Sequence, residues 1–103
     1  VEILSIPKGI QSSVHLAVIR LANQCPIHHK HIFECLRSLG IGVQLHYSPV
    51  HLQPYYQRLG FQRGDFPESE AYGSNAISLP LYPGLQESEQ VRVVRALAQI
   101  LTA

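Results

Sequence analysis

The run His46 to Tyr56, HYSPVHLQPYY, gathers two imidazoles, four hydroxyls and one side-chain amide into 11 residues. Such groups donate and accept hydrogen bonds without a permanent charge, which suits them to a polar ligand. Pro49 and Pro54 stiffen the segment and interrupt regular pairing, so residues 48 to 54 are expected to form an irregular extended loop. A loop of this kind at the end of a strand is where α/β folds expose ligand-facing groups. On spacing alone a second reading stands level with this one: a well-packed Tyr/Pro loop whose histidines are satisfied by backbone carbonyls.

The other reactive side chains assemble into less. Cys25, His28, His29, His31 and Cys35 crowd together, and Cys25, His28 and His31 could approach a zinc ion at helical spacing. Cys35, however, lies close to an apolar stripe, and closed zinc sites place their ligand pairs on separate elements. A solvated polar helix face is therefore preferred, and no metal is expected. No Gly-rich phosphate loop or nucleophile elbow is present. The only lysines, Lys8 and Lys30, fall in a leading loop and a polar helix turn, with nothing to desolvate them into nucleophiles. The chain thus lacks a complete catalytic set, and no residue is assigned a catalytic role.

Hydrophobic periodicity supplies the supports. Residues 13–21 read as a covered strand, with Val14, Leu16 and Val18 alternating with His15, Ala17 and Ile19. Pro26 suits a helix start, Ile32, Leu36 and Leu39 recur at helical spacing, and Gly40 is a natural stop. From Ile41 the period becomes two: Ile41, Val43, Leu45 and Tyr47 share one face, and Gly42, Gln44 and His46 the other. A turn is expected over residues 55–60. Asp65 and Glu68 resemble a capping box for a short helix over Pro67 to Asn75. A strand follows over Ile77 to Tyr82, placed at an edge by Pro80. The last helix spans Glu87 to Leu101, with Val91, Val94, Leu97 or Ala98, and Leu101 as its apolar stripe. The expected architecture is an α/β, two-layer sandwich in which a small three-stranded sheet is covered by helices on one face.

A chain of 103 residues has room for one core. Its 46% hydrophobic and 15% charged content is that of a folding sequence. Eight basic against seven acidic residues, net +1, offer no field for collecting phosphates, so nucleic acid is not expected as a partner. No apolar run spans a bilayer, and two cysteines are too few for a disulfide framework. A cytoplasmic setting without membrane partners is expected. The absence of methionine and the start at Val1 suggest a piece of a longer protein.

The segments SSVHLAVIRL, LRSLGIGVQLHYSPVHLQPYYQRLGF, GDFPESEAYGSNAISLPLYPGL and EQVRVVRAL together closely resemble the C-terminal domain of the pyridoxal-phosphate-dependent sugar aminotransferases of the DegT/DnrJ/StrS family. The resemblance runs from Ser12 to Leu101. It looks closest to transaminases acting on a UDP-linked 4-keto-6-deoxy-N-acetylhexosamine, with perosamine synthases sharing much of the pattern. The resemblance implies a dimeric fold-type I aminotransferase that passes an amino group from glutamate to a keto-sugar nucleotide. Its pyridoxal phosphate would be held, lysine and acid included, by an N-terminal domain outside these residues. Residues 1–12 would then lead in from that domain, and residues 13–103 would form the small domain. A substrate-facing role transfers to His46, Tyr47 and His51, with Gln53 and Tyr55 as further candidates, and the isolated chain would be inactive. The competing expectation is a stand-alone binding module on the same scaffold. Two departures from the family pattern, Gln86 before the last helix and Gly73 beside Tyr72, are each expected to weaken a helix by about 1 kcal/mol without touching the site.

Overall fold

A computed structural model describes Val1–Ala103. Three short antiparallel strands, β1 (Glu2–Ile3), β2 (Ala17–Arg20) and β3 (Ala76–Leu79), form one sheet in the order β1-β2-β3. Ile19 pairs with Ile77 and Val18 with Ser78, so each couple points to one face of the sheet. The helices are α1 (His29–Ser38), α2 (Pro54–Arg58), α3 (Pro67–Asn75) and α4 (Glu87–Thr102), with a 3-10 turn at Val50–Leu52.

One face carries the core. Ile19 and Ile77 meet Ile32 and Leu36 of α1, Ile41 and Val43 of the following segment, and Val93, Ala96 and Leu97 of α4. Ile32, Leu36, Val43 and Ile77 are fully buried, each contributing on the order of 1.5–3 kcal/mol by leaving water. The opposite face, bearing Val18 and Ser78, looks toward Tyr72 of α3 and toward His46.

The end of α1 aims the chain at the candidate site. Gly40 adopts φ 74°, which side-chain-bearing residues avoid, and closes the helix with two bonds, Gly40 N–H to the Arg37 carbonyl and Ile41 N–H to the Leu36 carbonyl. Ile41 and Val43 then enter the core, while Arg37 donates to the Val43 carbonyl at 3.4 Å and Arg92 to the Leu39 carbonyl. Residues 41–47 do not form the expected strand. Val43 N–H turns back to the Ile41 carbonyl across Gly42, leaving a single antiparallel bridge in which Gln44 and Ser78 exchange both backbone bonds. The third strand is instead β1, within the expected leading segment.

Other expectations shift for local reasons. The strand expected at 13–21 shortens to β2, because Val14 takes φ 40° with its N–H on the Ser12 hydroxyl, turning the chain there. Leu39 lies at the end of α1 and is 47% exposed rather than part of the stripe. Strand β3 stops before Pro80, which has no N–H to continue pairing. Asp65 does not cap α3: its carboxylate accepts the Gln62 N–H at 2.8 Å, and Phe66 occupies the cap. Helix α4 is rotated from the expected stripe, burying Val93, Ala96 and Leu97 and exposing Val91 and Val94. Nor does Gln86 leave its start open, since the Glu89 carboxylate accepts the Gln86 N–H at 2.8 Å.

Candidate functional site

His46 is reached directly from the Gln44 bridge, so the sheet itself fixes where its ring lies. Its Nδ1 is 2.9 Å from the Ser78 hydroxyl, and Ser78 is buried at 3% exposure in an otherwise apolar strand. With Nδ1 engaged, Nε2 on the far side of the ring is the atom left for a ligand. The Tyr47 ring leans on His46 at 4.6 Å between centroids and is itself 70% exposed.

His46 separates two concavities. The larger, about 410 Å³, runs along Gln44, Ser78, Tyr82, Glu89 and Arg92 over an apolar floor that includes Ile41 and Val93. Gln44 and His46 line it together, as their shared face in the two-residue period predicts. Tyr82 donates its phenol proton to Glu89 at 3.4 Å. Burial first, then the negative charge and hydrogen bond of Glu89, raise the Tyr82 pKa above its ordinary value. The smaller concavity, about 130 Å³, lies between His46, Tyr47 and Ser48 on one side and Arg63, Glu70, Gly73 and Ser74 on the other.

The remaining sequence candidates fall elsewhere. His51 is buried at 6% exposure, its Nε2–H donating to Glu70 at 3.3 Å and its ring edge-on to Phe66 at 4.9 Å. Gln53 precedes α2, its side chain making no capping bond, and is exposed. Tyr55 is 60% exposed and packs edge-to-face on Tyr56. Neither Gln53 nor Tyr55 lines the concavities at His46. The structure therefore brings His46 and Tyr47 together and sets His51 behind them as a support.

Three residues escaped sequence reasoning. Ser78 carried a usable signal, a lone hydroxyl between Ile77 and Leu79. Glu70 carried none, because its partner His51 lies 19 residues away on another element and its bond to Gly64 is to a backbone amide. Gly73, expected to lie clear of the site, in fact abuts it: a Cβ there would stand 3.0 Å from Pro49 Cδ, 3.2 Å from Pro49 Cγ and 3.4 Å from the Tyr47 carbonyl oxygen. Its missing side chain is what lets α3 lie against the loop.

Both lysines are exposed. Lys30 is 83% exposed and spends its charge on Glu34 at 3.7 Å, one turn along α1. Lys8 is exposed in the leading segment. Neither amine is desolvated, the setting that activates a lysine as a nucleophile. His31 and Cys35 meet at 3.5 Å, but no three His, Cys, Asp or Glu side chains come together as a metal site.

The fold and site define a small sheet-and-helix unit that presents an anchored histidine beside an open groove with polar sides and an apolar floor. The chain belongs to the DegT/DnrJ/EryC1/StrS aminotransferase family, whose sequence profile matches residues 1–98. It is 31% identical over 100 residues to the uncharacterized protein MJ1066 of Methanocaldococcus jannaschii, covering 95% of this chain and 26% of that protein. It is 39% identical over 63 residues to the spore coat polysaccharide biosynthesis protein SpsC of Bacillus subtilis, covering 60% and 16% respectively. Among solved structures it resembles the PLP-form of Spr1654 from Streptococcus pneumoniae, assigned as a sugar aminotransferase, with TM-score 0.88 and 27% identity over 97% of this chain and 26% of that one. A DegT DnrJ EryC1 StrS aminotransferase from Brucella abortus superposes with TM-score 0.80 and 25% identity over 99% and 26%. The chain spans about a quarter or less of the length of each of these proteins.

Proposed function

We propose that residues 13–103 are the small domain of a pyridoxal-phosphate-dependent sugar aminotransferase and form one wall of its substrate site, with residues 1–12 leading in from the cofactor-binding domain. The whole protein, a cytoplasmic homodimer, transfers an amino group from glutamate to a keto-sugar nucleotide, most closely a UDP-linked 4-keto-6-deoxy-N-acetylhexosamine. Pyridoxal phosphate and its lysine lie outside these residues. The observation that carries this reading is the His46–Ser78 bond, which fixes an imidazole at the edge of a groove roomy enough for a sugar ring.

What these residues contribute is orientation. His46, braced by Ser78, presents Nε2 as a hydrogen-bonding atom, and Tyr47 adds an exposed phenol beside it. A hydrogen bond that holds the keto-sugar at the reacting distance converts binding energy into rate without itself moving a proton. No absorbance-shifting cofactor adduct is expected on Lys8 or Lys30. The reading is tested in the protein as its gene encodes it, by following each half-reaction separately. His46→Ala should lower kcat/KM for the keto-sugar nucleotide about tenfold or more while leaving the glutamate half-reaction within about twofold. Equal sugar kinetics in the variant and the parent protein would remove His46 from the site.

A further inference from the structure

We infer that Glu70 is the positioning residue of this wall: through His51 and the Gly64 amide, its carboxylate holds residues 46–53 in place against α3. This inference rests on the reading that the wall faces a sugar nucleotide.

Two separate stretches of chain, at His51 and at Arg63 and Gly64, converge on that carboxylate. Its two oxygens accept the Gly64 N–H at 3.0 and 2.9 Å, Oε2 accepts His51 Nε2–H at 3.3 Å, and Arg63 stands 3.7 Å from Oε1. The side chains of His51 and Glu70 are only 7% and 11% exposed. A carboxylate so enclosed persists only where its lone pairs are met, and here each oxygen is met. Burial alone raises the Glu70 pKa, but the Gly64 amide, His51 and the Phe66 amide together outweigh it, and the group lies below its ordinary value. Because a carboxylate only accepts, it also selects the His51 tautomer with hydrogen on Nε2.

From His51 the constraint passes to the wall by direct contact. His51 sits in the 3-10 turn closed by Leu52 N–H on the Pro49 carbonyl and Gln53 N–H on the Val50 carbonyl. Fixing His51 therefore fixes Pro49. The Pro49 ring and the Tyr47 carbonyl border the space left by Gly73, on the same helix as Glu70. Glu70 and Gly73 thus grip the loop at two points nearly one helical turn apart, and His46 and Tyr47 are the residues so held. Glu70 borders the far side of the smaller concavity, but its oxygens are already engaged by Gly64, His51 and Arg63, which is why it positions and does not catalyse.

The test uses the protein as its gene encodes it, with Glu70→Gln, which keeps shape and an oxygen for Gly64, and Glu70→Ala, which keeps neither. Expected is a graded loss confined to one half-reaction: kcat/KM for the keto-sugar nucleotide down by a few-fold in Glu70→Gln and about tenfold or more in Glu70→Ala, with the glutamate half-reaction within about twofold in both. Both half-reactions falling together, or neither falling, would overturn the inference. If the parent protein aminates no keto-sugar nucleotide, the functional reading fails by itself, and amide hydrogen exchange then decides this one. Exchange at Leu52, Gln53 and Gly64 about tenfold faster in Glu70→Ala, with α1 and α4 unchanged, supports a positioning role, whereas unchanged exchange at those amides refutes it.

Discussion

Replacing Gly73 by alanine opposes two effects whose sizes can be compared. Glycine within a helix is less stable than alanine by roughly 0.5–1 kcal/mol, so an open site would gain stability. Gly73 is third from the end of α3, where the gain is at the low end. Against it stands the new methyl, 3.0 Å from Pro49 Cδ and 3.2 Å from Cγ. Carbon atoms pack best at about 3.5–4.0 Å, so both contacts lie well up the repulsive wall. Pro49 cannot swing away like a flexible side chain, and the Tyr47 carbonyl blocks a second direction. Overpacking of this kind typically costs about 1–3 kcal/mol. The balance is a net loss of about 1 kcal/mol, which for a domain of this size lowers Tm by about 4–8 °C. Gly42→Ala supplies the control, since nothing lies within 4 Å of a Cβ there. Calorimetry or urea unfolding of the two variants measures the difference. A Gly73→Ala protein that melts above the parent would refute the reasoning, because it would mean the loop yields freely and does not lie pinned against α3.

Further outcomes follow from other contacts. Ser78→Ala removes the hydrogen bond that braces His46 and should cost about 1 kcal/mol in urea unfolding, together with weaker keto-sugar binding; unchanged binding would show that His46 holds its place without the hydroxyl. Glu70, with its pKa depressed below the ordinary 4.5, adds stability that is fully present above that value and drains away as pH falls through the lower folded value. The difference in urea midpoint between the parent and Glu70→Gln should therefore shrink as the pH falls below 4.5, and a constant gap would rule out an ionised Glu70 as its source. Ile77→Ala, at a fully buried position central to the core, should cost about 2–5 kcal/mol, and a smaller loss would mean the core collapses to fill the space.

Sequence patterns located the long elements better than their faces. Helix α3 runs from Pro67 to Asn75 as expected, though without the Asp65 cap on which that expectation rested, and α4 begins at Glu87. The face of α4 was harder, because Val91, Val93, Val94, Ala96, Leu97 and Ala98 offer several apolar stripes, and only packing against α1 selects Val93, Ala96 and Leu97. Strand β1 has two residues and exists by pairing with β2, a partner that no local pattern names. Within the loop, alternation placed Gln44 and His46 together because the Gln44 bridge holds them to a strand-like course. It had no means of separating His46 from His51. That distinction is made by Ser78 and Glu70, 32 and 19 residues further along the chain.

The place of His46 between the two concavities has a thermodynamic consequence. One ring borders both chambers, so an occupant of either that shifts the ring is felt in the other. An occupant of the larger chamber that presses the imidazole off Ser78 must encroach on the smaller one, while an occupant that accepts from Nε2 settles the tautomer seen on both sides. Any such coupling is reciprocal: whatever one moiety does to the affinity of the other is returned by the same factor. Two parts of a single substrate lodged on either side would therefore be read together, as one object of a given length and bend, and not as two independent groups.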